Sequence, residues 1–119
     1  MPLTKKYLPA VIWSVVISVL CLLPKSDLPS DGWFIDIPHF DKWVHVGLFA
    51  VFFATLFYAD SKRWFIHILI CLALGGLVEI IQEAMEMGRS AEWLDFFADA
   101  IGATFAAFFA LIVRRRSLV

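Results

Sequence analysis

A chain of 119 residues is long enough for one compact unit. Its residues are 61% hydrophobic and 18% charged, and its mean hydropathy is +0.82, against roughly 45–50% and about 25% for an average soluble domain. These values argue against a small soluble domain, and a net charge of −1 with no nucleic-acid-binding motif leaves no basic surface for DNA or RNA.

Met1 to Lys6 is short and basic, and Tyr7 to Leu23 is apolar apart from Ser14 and Ser18. A signal peptide has this layout. No Ala-x-Ala site follows, however, and Ser18-Val19-Leu20-Cys21 lacks the small residue a lipoprotein signal carries before its cysteine. The stretch therefore reads as a retained first transmembrane helix. Pro24 to Phe40 holds three of the five prolines together with Gly32, a density that breaks helices. Trp33, Phe34, Ile35 and Ile37 are too apolar for a loop in water, so this segment is expected to lie in the membrane interface.

Asp41 to Tyr58 is the second predicted helix, about 27 Å long. Asp60 to Arg63 reads as a tight turn. Trp64 to Gln82 is a third span, close to the roughly 20 residues a bilayer needs. Leu94 to Val113 is a fourth, closed by Arg114, Arg115 and Arg116. The expected fold is an all-α membrane protein, a single domain over residues 1–119 with helices at about 7–23, 41–58, 64–82 and 94–113. Cys21 and Cys71 fall inside apolar runs, roughly 10–15 Å apart in depth by helical rise. That is too far for a disulfide, and they read as buried, inert thiols.

Four helices sort the basic residues into two sets. Lys5, Lys6, Lys62, Arg63, Arg114, Arg115 and Arg116 share one side, and Lys25, Lys42 and Arg89 the other. The positive-inside rule then places both termini in the cytoplasm, with Trp33, Trp43 and Trp93 in an outer aromatic belt and Trp64 in an inner one.

With that topology, polar residues from three helices reach one depth on the outward side. Asp41, Lys42 and His45 open the second helix, Glu79 and Gln82 close the third, and Asp95 and Asp99 open the fourth, with Arg89 in the connection between the last two. Asp41 and His45, like Asp95 and Asp99, are i,i+4 neighbours, and Glu79 and Gln82 are i,i+3, so each pair shares a helix face. A carboxylate about one turn inside a membrane helix faces a partner rather than lipid, because in lipid it costs about 2.5–3.5 kcal/mol at the helix centre and less near the ends. Ala98, Gly102, Ala106 and Ala110 recur every four residues and read as a packing stripe. Gly75 and Gly76 do the same one turn below Glu79. Glu83, Glu86 and Glu92 read as solvated charges, and His39 and His67 as bland, the latter facing lipid or a neighbour near the inner surface.

The charges do not balance. Asp41, Glu79, Asp95 and Asp99 stand against Lys42 and Arg89. The surplus leaves room for a proton on one carboxyl, a protonated His45, or a bound cation.

These residues resemble the pattern of the VanZ-like family of small bacterial membrane proteins. Asp41, Lys42 and His45 match its Asp-Lys-x-x-His, and Glu79 and Gln82 its Glu-x-x-Gln. Arg89, Glu92, Asp95 and Gly102 match the Arg, the acid and the Asp-x-x-x-Asn-x-x-Gly that follow. Asp99 stands where the family usually has Asn, which adds a charge, and Ala106 where a second Gly is common. The resemblance spans roughly residues 20–110. It implies a multi-pass protein of the bacterial plasma membrane, and it connects to glycopeptide resistance of the teicoplanin type, which concerns lipid-linked cell-wall precursor.

Two functional readings follow. In the first, Lys42, His45 and Arg89 hold the anionic headgroup of a membrane lipid or lipid-linked precursor, the acids Asp41, Glu79, Asp95 and Asp99 positioning them, with Gln82 in the same pocket. In the second, the protein is a membrane enzyme acting on a phosphate or glycan linkage of a lipid-linked substrate. Glu79 or Asp99 is then the general acid/base, His45 a proton carrier and Arg89 a charge stabiliser. A divalent metal on His45, Glu79, Asp95 and Asp99 is a variant of this reading. No Gly-x-Ser-x-Gly or His-Glu-x-x-His motif is present. A channel or transporter ranks below both, because the inner side offers no polar partner to complete a path. A salt-bridge network that ties helix ends and binds no ligand is the structural alternative.

Overall fold

The computed structural model describes residues 2–22, 40–85 and 93–117. Within them every regular element is helical: α1 (Leu3–Lys6), α2 (Leu8–Leu22), α3 (Phe40–Ala59), α4 (Trp64–Met85) and α5 (Trp93–Ser117), with a 3-10 turn at Ser61–Arg63 between α3 and α4. The expected interfacial segment before Phe40 lies outside the described residues, as do His39, Glu86, Arg89 and Glu92.

Three of these helices are long and apolar enough to cross a membrane, over Lys42–Ala59, Ser61–Met85 and Trp93–Arg116. The first predicted span is shorter than the others. It breaks at Tyr7, so α2 has 15 residues, about 22 Å by helical rise. The cause is Pro9, which has no N–H for the Lys5 carbonyl and whose ring crowds that carbonyl. Two helices outrun their expected ends. Glu83, Ala84 and Met85 are good helix formers and carry α4 past Gln82. In α5 the last turn holds Arg114, Arg115 and Arg116, cations that suit the negative end of the helix dipole.

The outer faces of α2, α4 and α5 are oily. Val11, Val15, Leu77, Ile80, Phe97, Ile101, Phe105 and Phe109 are all exposed, far more apolar surface than a protein in water presents. Inside, Phe49, Phe53 and Ile17 are fully buried, together with Cys71, Ala103 and Ala107. Both cysteines are buried. The small-residue stripe explains the closest approach. A Cβ on Gly102 would stand 2.9 Å from the Val46 carbonyl carbon and run into its oxygen, so α3 and α5, the most extensive helix pair, meet backbone to backbone there. Trp13 Nε1 donates to the Leu48 carbonyl at 2.8 Å and fastens α2 to α3.

The two ends of the bundle differ in charge. Arg114 donates to the Ser61 carbonyl at 2.7 Å, and Tyr7 meets His67 at 3.1 Å. The N-terminal turn, the α3–α4 turn and the end of α5 therefore lie together. That end carries Lys5, Lys6, Lys62, Arg63 and Arg114–Arg116, and the acid-rich residues occupy the other.

Candidate functional site

At the acid-rich end, antiparallel packing sets the starts of α3 and α5 level with the end of α4. α4 and α5 each turn a polar pair inward and α3 turns His45: His45 is 5% exposed, Glu79 1%, Gln82 3%, Asp95 6% and Asp99 1%. Of the expected face-sharing pairs, Glu79 with Gln82 and Asp95 with Asp99 are buried together with His45.

Contacts run in two layers. Nearer the helix starts, Lys42 Nζ lies 2.7 Å from Asp95 Oδ1, with side-chain exposures of 17% and 9%. One turn deeper, His45 Nδ1 and Asp99 Oδ1 are 2.7 Å apart. An ionised carboxylate only accepts, so the ring N–H donates. The other ring nitrogen, Nε2, faces Asp95 Oδ2 at 3.7 Å, beyond hydrogen-bonding range. His45 is therefore held between the carboxylates of two successive turns of α5. One donor atom from each of His45, Glu79 and Asp95 lies within 4.8 Å of the others.

Glycine shapes the packing beside the cluster. A Cβ on Gly75 would come 2.9 Å from Asp99 Oδ2 and 3.3 Å from its Cβ, so α4 passes Asp99 where only a hydrogen fits. Among the described residues no hydrogen bond reaches Asp99 Oδ2. The second oxygen of this carboxylate lies against backbone rather than against a donor.

The remaining predicted site residues divide. Gln82 donates its side-chain N–H to the Cys21 carbonyl. Its amide thereby ties α4 to the last turn of α2. Asp41 belongs to α3, but its side chain is outside the description, as is all of Arg89. His67, expected to face lipid or a neighbour, takes the neighbour: it is 1% exposed and meets Tyr7.

Two features of the site carried little signal in sequence. The partner of Gln82 is a backbone carbonyl, which no residue type marks. Gly75 looked like ordinary packing, and its relation to Asp99 shows only when α4 and α5 are brought together.

Chemically, the cluster pairs one half-buried ammonium with a carboxylate, orients an imidazole through a second carboxylate, and adds a third acid from the facing helix. A carboxylate on Nδ1 directs the imidazole Nε2 outward, which suits either proton transfer or metal ligation. No family model, curated protein or solved structure matches this chain, so residues and geometry alone carry the functional reading.

Proposed function

We propose that this chain is a VanZ-like membrane protein that holds the anionic headgroup of a lipid, or of a lipid-linked cell-wall precursor, at the outer face of the bacterial plasma membrane. The reading includes four spans, with α1 and α2 together crossing once. End to end they supply 20 residues from Leu3 to Leu22, roughly 30 Å at helical rise, which equals a bilayer's hydrocarbon core. Both termini are then cytoplasmic, because seven of the ten Lys and Arg residues cluster at the α3–α4 turn and the chain ends. Trp43 and Trp93, each 66% exposed at the opposite end, suit an interfacial belt there.

The observation that supports headgroup binding is the Lys42–Asp95 pair. It is a cation at the level of the Trp belt, oriented by a carboxylate yet still partly exposed. Resistance to glycopeptides that act on lipid-linked precursor is the physiological consequence proposed. Native mass spectrometry tests the reading. Wild type is expected to retain lipids with phosphate headgroups, and Lys42→Ala and Arg89→Ala to lose them; unchanged retention in both variants defeats it.

The His45–Asp99 contact favours one further reading, a membrane enzyme acting on a phosphate or glycan linkage. Asp99 would fix the ring so that Nε2 takes a proton from the attacking group. Turnover of undecaprenyl phosphates by the purified protein, abolished in His45→Gln, is the expected result. No turnover with or without added divalent metal removes this reading.

A further inference from the structure

We infer that His45, Glu79 and Asp95 form a divalent transition-metal site, of the kind that takes Zn²⁺ or Mn²⁺, with Asp99 as the residue that positions the histidine ligand. Three observations converge on it.

The first is the spacing. Zinc–nitrogen and zinc–oxygen bonds are both about 2.1 Å, so two ligands at a tetrahedral angle stand about 3.4 Å apart. His45 Nε2 and Asp95 Oδ2 are 3.7 Å apart. That is too far for a hydrogen bond and close to the gap between two ligands of one ion. Glu79 adds a third ligand residue, with one donor atom of each of His45, Glu79 and Asp95 within 4.8 Å of the others.

The second is the support behind the histidine. Metal-binding imidazoles almost always donate their other N–H to a carboxylate or carbonyl, which fixes the tautomer and leaves the ligating lone pair pointing at the ion. The 2.7 Å contact from His45 Nδ1 to Asp99 Oδ1 is that bond. Asp99 is 1% exposed and backed by Gly75, so it has little freedom to turn away.

The third is charge. With His45 neutral, Glu79, Asp95 and Asp99 against Lys42 leave two negative charges in a buried cluster, and counting Asp41 and Arg89 does not alter the sum. One divalent ion cancels it. Lys42 sits on Asp95 Oδ1, so it leaves Oδ2, the oxygen nearer His45, to the ion. The ligand set, one imidazole and two carboxylates, suits zinc or manganese better than magnesium or calcium, which favour all-oxygen shells.

The ion also answers how an acid-rich cluster can hold an anion. A phosphate oxygen can bind at its open coordination position while Lys42 takes another. That role rests on the headgroup reading above, whereas the metal site does not.

The test uses the full chain, purified in detergent and stripped with EDTA. Zn²⁺ or Mn²⁺ is added alone, with Mg²⁺ as the comparison. Wild type is expected to bind one equivalent of Zn²⁺ or Mn²⁺ by calorimetry and elemental analysis, and its melting temperature should rise with the ion. Co²⁺ substitution should give the visible absorption of a low-coordinate site. Glu79→Gln should lose the equivalent and the thermal shift. Asp99→Asn should weaken affinity about 10–100-fold, the range for residues that support a ligand. Lys42→Ala should keep the metal, since it removes a competing cation, and lose phosphate-headgroup lipid. Asp60→Asn, at the far end of the bundle, should bind as wild type does. Absence of a stoichiometric ion in wild type overturns the inference, as does equal binding by Glu79→Gln. Lipid retention that survives EDTA in a protein binding no metal leaves the headgroup reading standing without the ion. Metal binding with no lipid retention does the reverse.

Discussion

At the cationic end of the bundle, Asp60 caps the 3-10 turn by accepting from the Lys62 amide at 3.1 Å. Arg114 donates to the Ser61 carbonyl and lies 5.7 Å from the centre of the Phe57 ring. At the acidic end, the corresponding polar side chains bond mainly to one another across helices: Lys42 to Asp95 and His45 to Asp99. The first arrangement is tied to backbone and partly open to solvent. The second is buried and its members depend on one another. Charged groups at a helix end can thus be satisfied one at a time, which leaves them individually replaceable, or as a network, which makes each the condition for the next.

The contrast is sharpest where one buried partner is removed. His45→Ala leaves Asp99 without its donor, and breaking a buried pair in this way typically costs about 3–5 kcal/mol. The expected result is a large drop in the melting temperature in detergent; an unchanged midpoint would show that Asp99 takes no support from His45. Gly102→Leu attacks the scaffold beneath the network. It drives a side chain into the Val46 backbone, with an overpacking penalty of about 1–3 kcal/mol, and should loosen the α3–α5 pair as seen by hydrogen exchange along both helices.

A smaller loss is expected from Gln82→Leu, which removes one hydrogen bond to the Cys21 carbonyl, about 0.5–1.5 kcal/mol for a net hydrogen bond. Faster exchange confined to the last turn of α2 would mark it. The smallest effect belongs to the cationic end. In the Arg63–Asp60 pair the arginine side chain is 65% exposed, so Arg63→Ala should change stability by no more than about 1 kcal/mol. A double-mutant cycle on Lys42 and Asp95 should give a coupling of about 0.5–3 kcal/mol. If the Arg63–Asp60 cycle gave as much, the distinction between the two ends would collapse.

Much of the helical layout was legible because hydrophobic runs of membrane length have few other uses. The boundaries of α3 fell within one residue of expectation, and the acids of α5 lay on the face that helical spacing required. The break at Tyr7 was less visible, although Pro9 marked it, because an apolar run conceals a local fault. For the site, i,i+3 and i,i+4 spacing identified which residues could share a face. Spacing within a helix says nothing about which neighbour that face meets, so the pairing of His45 with Asp99 and of Lys42 with Asp95 was open.

The order of residues along the chain determined three long apolar helices, the gathering of basic residues at their shared ends, and the set of polar groups that had to be sheltered. Those follow from the period of the helix and the expense of carboxylates in apolar surroundings, both local properties. Only the packed bundle decided that Gly75 would admit Asp99, that Gln82 would reach the end of α2, and that His45 would stand between two acids of α5. Each depends on a distance between helices, and the approach of α3 and α5 is limited by the one hydrogen that Gly102 offers to the Val46 backbone.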